Sequence, residues 1–483
     1  MQRKESNIAQ FTFEELSEVF NGLVLNPELF DCGEINLLKI FQHAVASKMV
    51  GTHSPVTITF DKPAYYQNGI SMYRKLKRKE LYADGKKIAK RIVEKKFLLY
   101  SGSNCLLDDK GELVSANTRN ILEEIGRENC LYIYREYKGK SDPTGQDFSY
   151  SQLNYYAENR TLDSAEKNFF SQVNETYKRV LASEEIPQEY GPYFARQLQI
   201  FCNNFRFWNL VLRKCKPEKL YLTMHYHSEG ILAAAKLLGI PSYEFQHGLI
   251  SSNDYYYVYS NQFKSVVDRA LFADKIMLFG TYWGKILDGG CEYPPSKRCI
   301  IGSYQYRPDF NQDSLDRFEE KYALKDKKVI LVATQTSISD YYADYIAEVA
   351  PKLALNHPEY CILIKPHPNQ RDMHLLEACD TFSNVVICAK TDDLMLALRL
   401  SDIQISLYST TFYDAIGTGT INLSLYNHEK FRKYAELMIA EKIALPLNHD
   451  DDPVEIAEKG RLEGDGLSRD EVYAEFDSNF WKY

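Results

Sequence analysis

Between Lys328 and Leu425 five short apolar runs alternate with segments of helical spacing: 328–333, 361–365, 385–388, 403–408 and 421–425. Runs this short, punctuated by helices, are parallel strands of βαβ units and not pieces of one buried helix. That pattern constrains the chain more than any other feature in it. In an open parallel sheet ligands lie beyond the carboxyl ends of the strands. Lys365-Pro366-His367-Pro368 follows the second run and Ser409-Thr410-Thr411 the fourth, so both segments are expected at one crevice.

The first half of the chain reads as mixed α/β. Phe11, Phe13, Leu16, Val19 and Phe20 share a helical face, and 56–60, 97–100 and 130–134 are strand candidates. Residues 165–215 read as two long helices broken near Ile186-Pro187. A further βαβ unit follows: strand 219–223, helix 230–238 ended by Gly239, and strand 242–246, which runs into His247-Gly248. Strands at 275–279 and 299–301 precede a polar stretch, 305–326, taken as the boundary. The expected division is an α/β domain with a helical N-terminal extension at 1–305, and a Rossmann-like domain at 306–440. A helical tail at 441–483 is expected to pack back on the body.

Composition narrows the class. A net charge of −8 over 483 residues argues against general nucleic-acid binding. The segment from Arg74 to Lys96 nevertheless carries +8, leaving −16 for the remainder. It is either a solvated helix face or a basic face for anionic lipid or an anionic saccharide. The ten cysteines form no Cys-x-x-Cys pair, the pattern of reduced, mostly buried thiols with no zinc site. The opening residues are polar and no apolar run approaches a membrane span. The expected location is cytoplasmic, or peripheral to the inner face of the plasma membrane.

The Lys365-Pro366-His367-Pro368 run resembles the His-Pro motif of bacterial glycosyltransferases that use cytidine-nucleotide donors, the sialyltransferases and capsule Kdo transferases among them. Tyr408-Ser409-Thr410-Thr411 with Tyr413-Asp414-Ala415 is similar to their Ser/Thr motif and to the matching segment of CDP-glycerol polymerases of teichoic-acid synthesis. The resemblance covers about Lys328 to Tyr434, and touches the first half only at Gln246-His247-Gly248. It implies the GT-B plan, an α/β fold of two Rossmann-like domains facing each other across a cleft, with 1–305 the acceptor-side domain and 306–440 the nucleotide-donor domain. It further implies that Lys365, His367, Pro368, Ser409, Thr410 and Thr411 hold the donor nucleotide. Physical chemistry independently favours those residue types. A helix starting after Ser409-Thr410-Thr411 offers free amides and a positive dipole end to phosphate, and Lys365 and His367 add donors to a leaving nucleotide. Capping by Ser409 or Thr411 is the simpler account of such a triplet in isolation.

His247 is the candidate general base for an acceptor hydroxyl, with Glu229 the second catalytic candidate. A hydrogen-bonded histidine that only pins the strand end is the competing account. The sialyl- and Kdo transferases carry an acidic pair before glycine where this chain has Gln246-His247, a departure that counts against those donor sugars, whereas CDP-glycerol polymerases share the His-Gly pair. His225, His227 and Gln246 are candidates for acceptor binding; His225, His227 and Glu229 lack the further ligand a metal site needs. The expectation is a metal-independent glycosyltransferase with no cofactor beyond its nucleotide-activated donor, moving a sugar from a CMP- or other cytidine-linked donor to a saccharide or lipid-linked acceptor in capsule or lipopolysaccharide synthesis. The alternatives are a CDP-polyol phosphotransferase, a nucleotide-sugar epimerase and a non-catalytic capsule-assembly scaffold.

Overall fold

The computed structural model describes residues 12–51, 78–104, 106–107, 113–114, 118–135, 148–252, 254–258, 261–303, 312–335, 338–368, 370–429, 431–463 and 466–483. The strand expected at 56–60, residues 74–77 of the basic segment and residues 305–311 of the boundary stretch lie outside them. The chain divides into two compact units, one of residues 1–278, 283–299 and 478–483, the other of residues 279–282 and 300–477. Both are α/β, and each is built on its own sheet.

In the first unit the sheet strands are β1 (Phe97–Asn104), β2 (Cys130–Arg135), β3 (Phe148–Ser149), β4 (Lys219–Leu222), β5 (Ser242–Phe245), β6 (Lys275–Leu278) and β7 (Arg298–Ile300). Their spatial order is β7-β6-β5-β4-β1-β2-β3. Every pair from β6 through β3 is parallel. Order therefore reverses between β1 and β4, which is the switch point of a doubly wound sheet. The two long helices fall at Ser164–Ala182 and Gly191–Cys215. Asp163 opens the first with a capping box, and Lys216, in the left-handed region, ends the second. Helix Leu38–Met49, fully buried from Leu38 to Val45, lies against Gly191–Cys215.

The second unit carries β8 (Lys328–Ala333), β9 (Tyr360–Lys365), β10 (Val385–Ile387), β11 (Ile403–Ser406), β12 (Ile421–Leu425) and β13 (Leu445–Leu447). All are parallel, in the order β10-β9-β8-β11-β12-β13. This is the 3-2-1-4-5-6 order of the Rossmann fold, with its switch point between β8 and β11. Every residue of β9 is buried, as a parallel strand covered on both faces requires. Ile330, Ile362, Ile403 and Leu423 pack one face against Tyr342, Tyr345 and Ile346 of helix Ser339–Asn356.

Three expectations need correction. The second sheet has six strands and not five. Residues 441–483 are also no separate helical tail: β13 and helix Pro453–Glu463 belong to the second unit, and 478–483 to the first. Residues 300–305, placed before the boundary by the sequence pattern, likewise fall in the second unit. Within the basic segment a helix spans Arg78–Arg91, with Lys87 and Asp84 paired at its surface. No helix among the described residues is long and apolar enough to cross a membrane. No disulfide joins the described cysteines, which are buried apart from Cys291 and Cys299.

Candidate active-site residues at the strand ends

At the switch point of the second unit the ends of β8, β9 and β11 are tied together. Thr334, just past β8, donates its amide to the Lys365 carbonyl at 3.2 Å and its hydroxyl to Gln370 Oε1 at 3.1 Å. It also accepts the His367 amide at 3.3 Å. Across the reversal Gln335 Nε2 donates to the Tyr408 carbonyl at 2.8 Å, and Tyr342 Oη receives the Leu407 amide at 3.2 Å. His367 is thus held beside the β8 end by its own main chain, its imidazole half-buried and Pro368 exposed. Neither Gln335 nor Tyr342 had a motif to mark it in the sequence.

Ser409, Thr410 and Thr411 lead into helix Thr411–Thr418. Ser409 Oγ accepts from the Thr411 amide at 3.2 Å and from the Thr411 hydroxyl at 2.9 Å, so this side chain caps the helix. Thr411 Oγ1 also receives Gln404 Nε2, whereas Thr410 is exposed at the helix start. Lys365 departs from expectation. It is 5% exposed, and its ammonium donates to the carbonyls of Pro366 and Lys390, each at 3.1 Å. Burial lowers its pKa. Lys365 braces the strand end from within, and the groups that reach the surface here are His367, Pro368, Ser409 and Thr410.

In the first unit the loop after β4 turns two of its three candidates inward. Period-2 alternation stops with the strand at Leu222, and His227 sits in the left-handed region at φ 60°. His225 is fully buried and His227 exposed. His225 Nδ1 meets Glu244 Oε2 at 2.6 Å and Nε2 meets the Tyr256 carbonyl at 2.7 Å. Burial pushes this imidazole below the usual histidine pKa against the pull of Glu244, yet both nitrogens face acceptors, which only the protonated ring satisfies together. Glu244 also accepts the hydroxyls of Tyr257 at 2.7 Å and Tyr293 at 2.8 Å. Burial alone would raise its pKa, but His225 and these hydroxyls hold it at about 2. His225 is therefore part of a buried brace and presents no surface to an acceptor.

Glu229 is 6% exposed and committed to a second cluster. Its Oε1 receives His43 Nε2 at 2.8 Å and the His227 amide at 3.2 Å, with Lys39 Nζ at 3.3 Å. Burial pushes the carboxyl up, but His43 and Lys39 more than offset this and keep it well below the usual range. Lys39 itself is completely buried and donates to the carbonyls of His225 at 3.1 Å and Leu271 at 2.8 Å. Such a charge survives burial only because every donor is paired. The carboxylate thus faces inward.

His247 follows β5 and is half-buried. Its Nε2 lies 3.1 Å from the hydroxyl of Tyr226, a ring stacked on Tyr256 at 4.6 Å. Nδ1 is buried without a partner of good geometry. Burial lowers its pKa, opposed by Glu244 and the Thr223 main chain. Gln246 is buried and donates to the Gly248 carbonyl at 2.9 Å. Gly248 has open space where a side chain would stand, so crowding does not require glycine there. Lys39 and His43, central to this region, lie on one helix far earlier in the chain, His43 standing 186 residues before Glu229, and carried no signal.

No protein-family model matches the chain, and no curated protein is significantly similar to it. Among solved structures it is similar to the UDP-GlcNAc 2-epimerase of Neisseria meningitidis bound to UDP-GlcNAc, at 13% identity and a TM-score of 0.44 over 76% of this chain and 91% of that one. It is similar to a variant of the wall teichoic acid polymerase TagF at 14% identity and a TM-score of 0.45, over 86% and 92%. A third likeness is to the UDP-GlcNAc 2-epimerase of Methanocaldococcus jannaschii, at 10% and 0.45, over 80% and 98%. Similarity at this level does not decide the reaction of this chain.

Proposed function

We propose that the chain is a glycosyltransferase that binds a nucleotide-activated sugar at the strand ends of its second unit. The observation that carries this reading is the junction of His367, Ser409 and Thr410 with the switch point of a six-stranded Rossmann-order sheet, where phosphate ligands of such sheets bind. The positive dipole end of helix Thr411–Thr418, the exposed Thr410 at its start and the half-buried His367 would stabilise the charge that grows on the leaving phosphate as the glycosidic bond breaks. The acceptor hydroxyl attacks the anomeric carbon, its proton passes to His247, and the nucleotide departs with the bonding electrons. A cytidine-linked donor is the proposed class, on the resemblance of the His-Pro and Ser/Thr segments. The acceptor is a saccharide or a lipid-linked saccharide of a surface polymer. No metal enters the scheme.

The His247-Gly248 pair after β5 favours one second reading, a polyol-phosphate transferase with a CDP-linked donor. Incubation with CMP-, CDP-, UDP- and GDP-linked donors separates the readings. A transferase slowly hydrolyses its sugar donor without acceptor, a polyol-phosphate transferase releases CMP from CDP-glycerol, and a scaffold does neither. Peripheral membrane contact through residues 74–96 belongs to the proposal. Reversing Lys86, Lys87, Lys90 and Arg91 should weaken binding to anionic vesicles in a salt-sensitive way, and unchanged binding at low salt would return the segment to a solvated face.

A further inference from the structure

A row of rings starts beside Ser409 and runs along the strand ends of the second sheet. Tyr408 immediately precedes Ser409, and its ring lies 5.1 Å from that of Tyr434 at 30° and 5.1 Å from that of Phe431 at 37°. Phe431 meets His428 at 4.9 Å, and His428 meets Tyr341 at 4.7 Å. A row that served packing alone would be sealed and apolar. Here Tyr434 is 44% exposed although Tyr408 covers part of it, while the Tyr341 hydroxyl and His428 Nδ1 are buried without hydrogen-bond partners. Burying unpaired polar atoms costs stability, and local rules of this kind are broken chiefly where a site needs particular side chains.

We propose that Tyr434, backed by Tyr408, is the platform on which the base of a bound nucleotide stacks. The proposal rests on the preceding reading, in which the nucleotide phosphates sit at Ser409 and Thr410, and it names what holds the other end of the same ligand. Tyr408 links the two ends. Its carbonyl is fixed by Gln335 across the switch point, its chain continues into Ser409, and its ring carries Tyr434. A flat heteroaromatic is the ligand class that gains most from an open ring face, because stacking works for any base without demanding a particular hydrogen-bond pattern. Tyr434 belongs to the short helix Arg432–Ala440, of which only Ala435 is buried, so the platform can be altered without disturbing the core.

Titration calorimetry on the full chain tests this with CMP, UMP, GMP and ribose 5-phosphate as probes. The wild type should bind at least one nucleotide more tightly than ribose 5-phosphate. Tyr434→Ala should weaken that nucleotide about tenfold and leave ribose 5-phosphate unchanged, with Tyr434→Phe close to wild type. If Tyr434→Ala binds the nucleotide as the wild type does, or loses ribose 5-phosphate in equal measure, the platform is wrong while the phosphate site stands. A wild type that binds nucleotides no better than ribose 5-phosphate also overturns it. Failure of the wild type to bind any of the four probes removes both the platform and the functional reading beneath it.

Discussion

Both sheets reverse their strand order in the same way, between β1 and β4 in one and between β8 and β11 in the other, yet the polar groups at their strand ends are used differently. After β4 and β5 the polar side chains fold inward onto one another: His225 with Glu244, and Glu229 with Lys39 and His43. After β9 and β11 it is mainly main-chain groups and amide side chains that are tied down, leaving His367 and Thr410 at the surface. One fold order thus supports a wired loop in the first unit and a more open strand end in the second, where we propose the anion binds. The first arrangement holds His227 and His247 in place, and the second leaves His367 half-buried and Thr410 exposed.

The sharpest test of that contrast is His247. It is the member of the first region that is half-exposed and has no carboxylate partner. His247→Ala should lower kcat by a factor on the order of 10²–10⁴ with nucleotide affinity nearly intact, since a base acts in the transition state. His247→Gln should fail almost as badly, because an amide takes no proton at neutral pH. Loss of thermal stability together with undiminished turnover per folded molecule would make His247 another strut of the wired loop.

Glu244 tests the wiring itself. Glu244→Gln leaves His225 buried without its counter-charge and should cost about 3 kcal/mol of urea stability at neutral pH. The carboxyl is held at about 2 in the folded protein, against roughly 4.3 when unfolded. A depressed acid stabilises the fold above its unfolded pKa and loses that contribution as pH falls toward its folded one. The gap between wild type and variant should therefore close as pH falls from about 4.5 to 2. A gap that stays constant into acid would mean that Glu244 is not ionised in the fold. In the second region the equivalent change is smaller: His367→Ala should weaken nucleotide binding about tenfold without moving the melting temperature. Unchanged binding would remove His367 from the site.

What the sequence made legible follows the same contrast. The strands of the second unit could be read because buried parallel strands are continuous apolar runs, as in Tyr360–Lys365. β13 was missed because Pro446 interrupts so short a run, which the sheet tolerates at its edge, where a missing amide costs least. His225 and Glu229 were expected to point outward with His227 because strand alternation was carried past Leu222, whereas the left-handed turn at His227 breaks it. Lys365 was expected to meet phosphate, since a lysine at a strand end looks the same whether its ammonium reaches solvent or curls back to main-chain carbonyls. Lys39 and His43 escaped notice because they act on a loop far away in sequence, and the ring row at Tyr434 because its members share no spacing.

The smallest effect discriminates best between capping and phosphate binding at Ser409. Its hydroxyl oxygen accepts the Thr411 amide, so Ser409→Ala should cost about 1 kcal/mol of stability whatever else the residue does. That substitution alone cannot separate the roles, because a frayed helix start would also bind phosphate poorly. Ser409→Asp separates them. Aspartate caps a helix about as well as serine, so stability should be kept, but its charge repels a phosphate placed at the same amides. The expected result is wild-type melting with nucleotide binding reduced tenfold or more, and the loss should shrink as salt screens the repulsion. If Ser409→Asp melts and binds like the wild type, the serine is a cap and nothing more, the anion site lies elsewhere on the sheet, and the contrast between the two regions loses its second half.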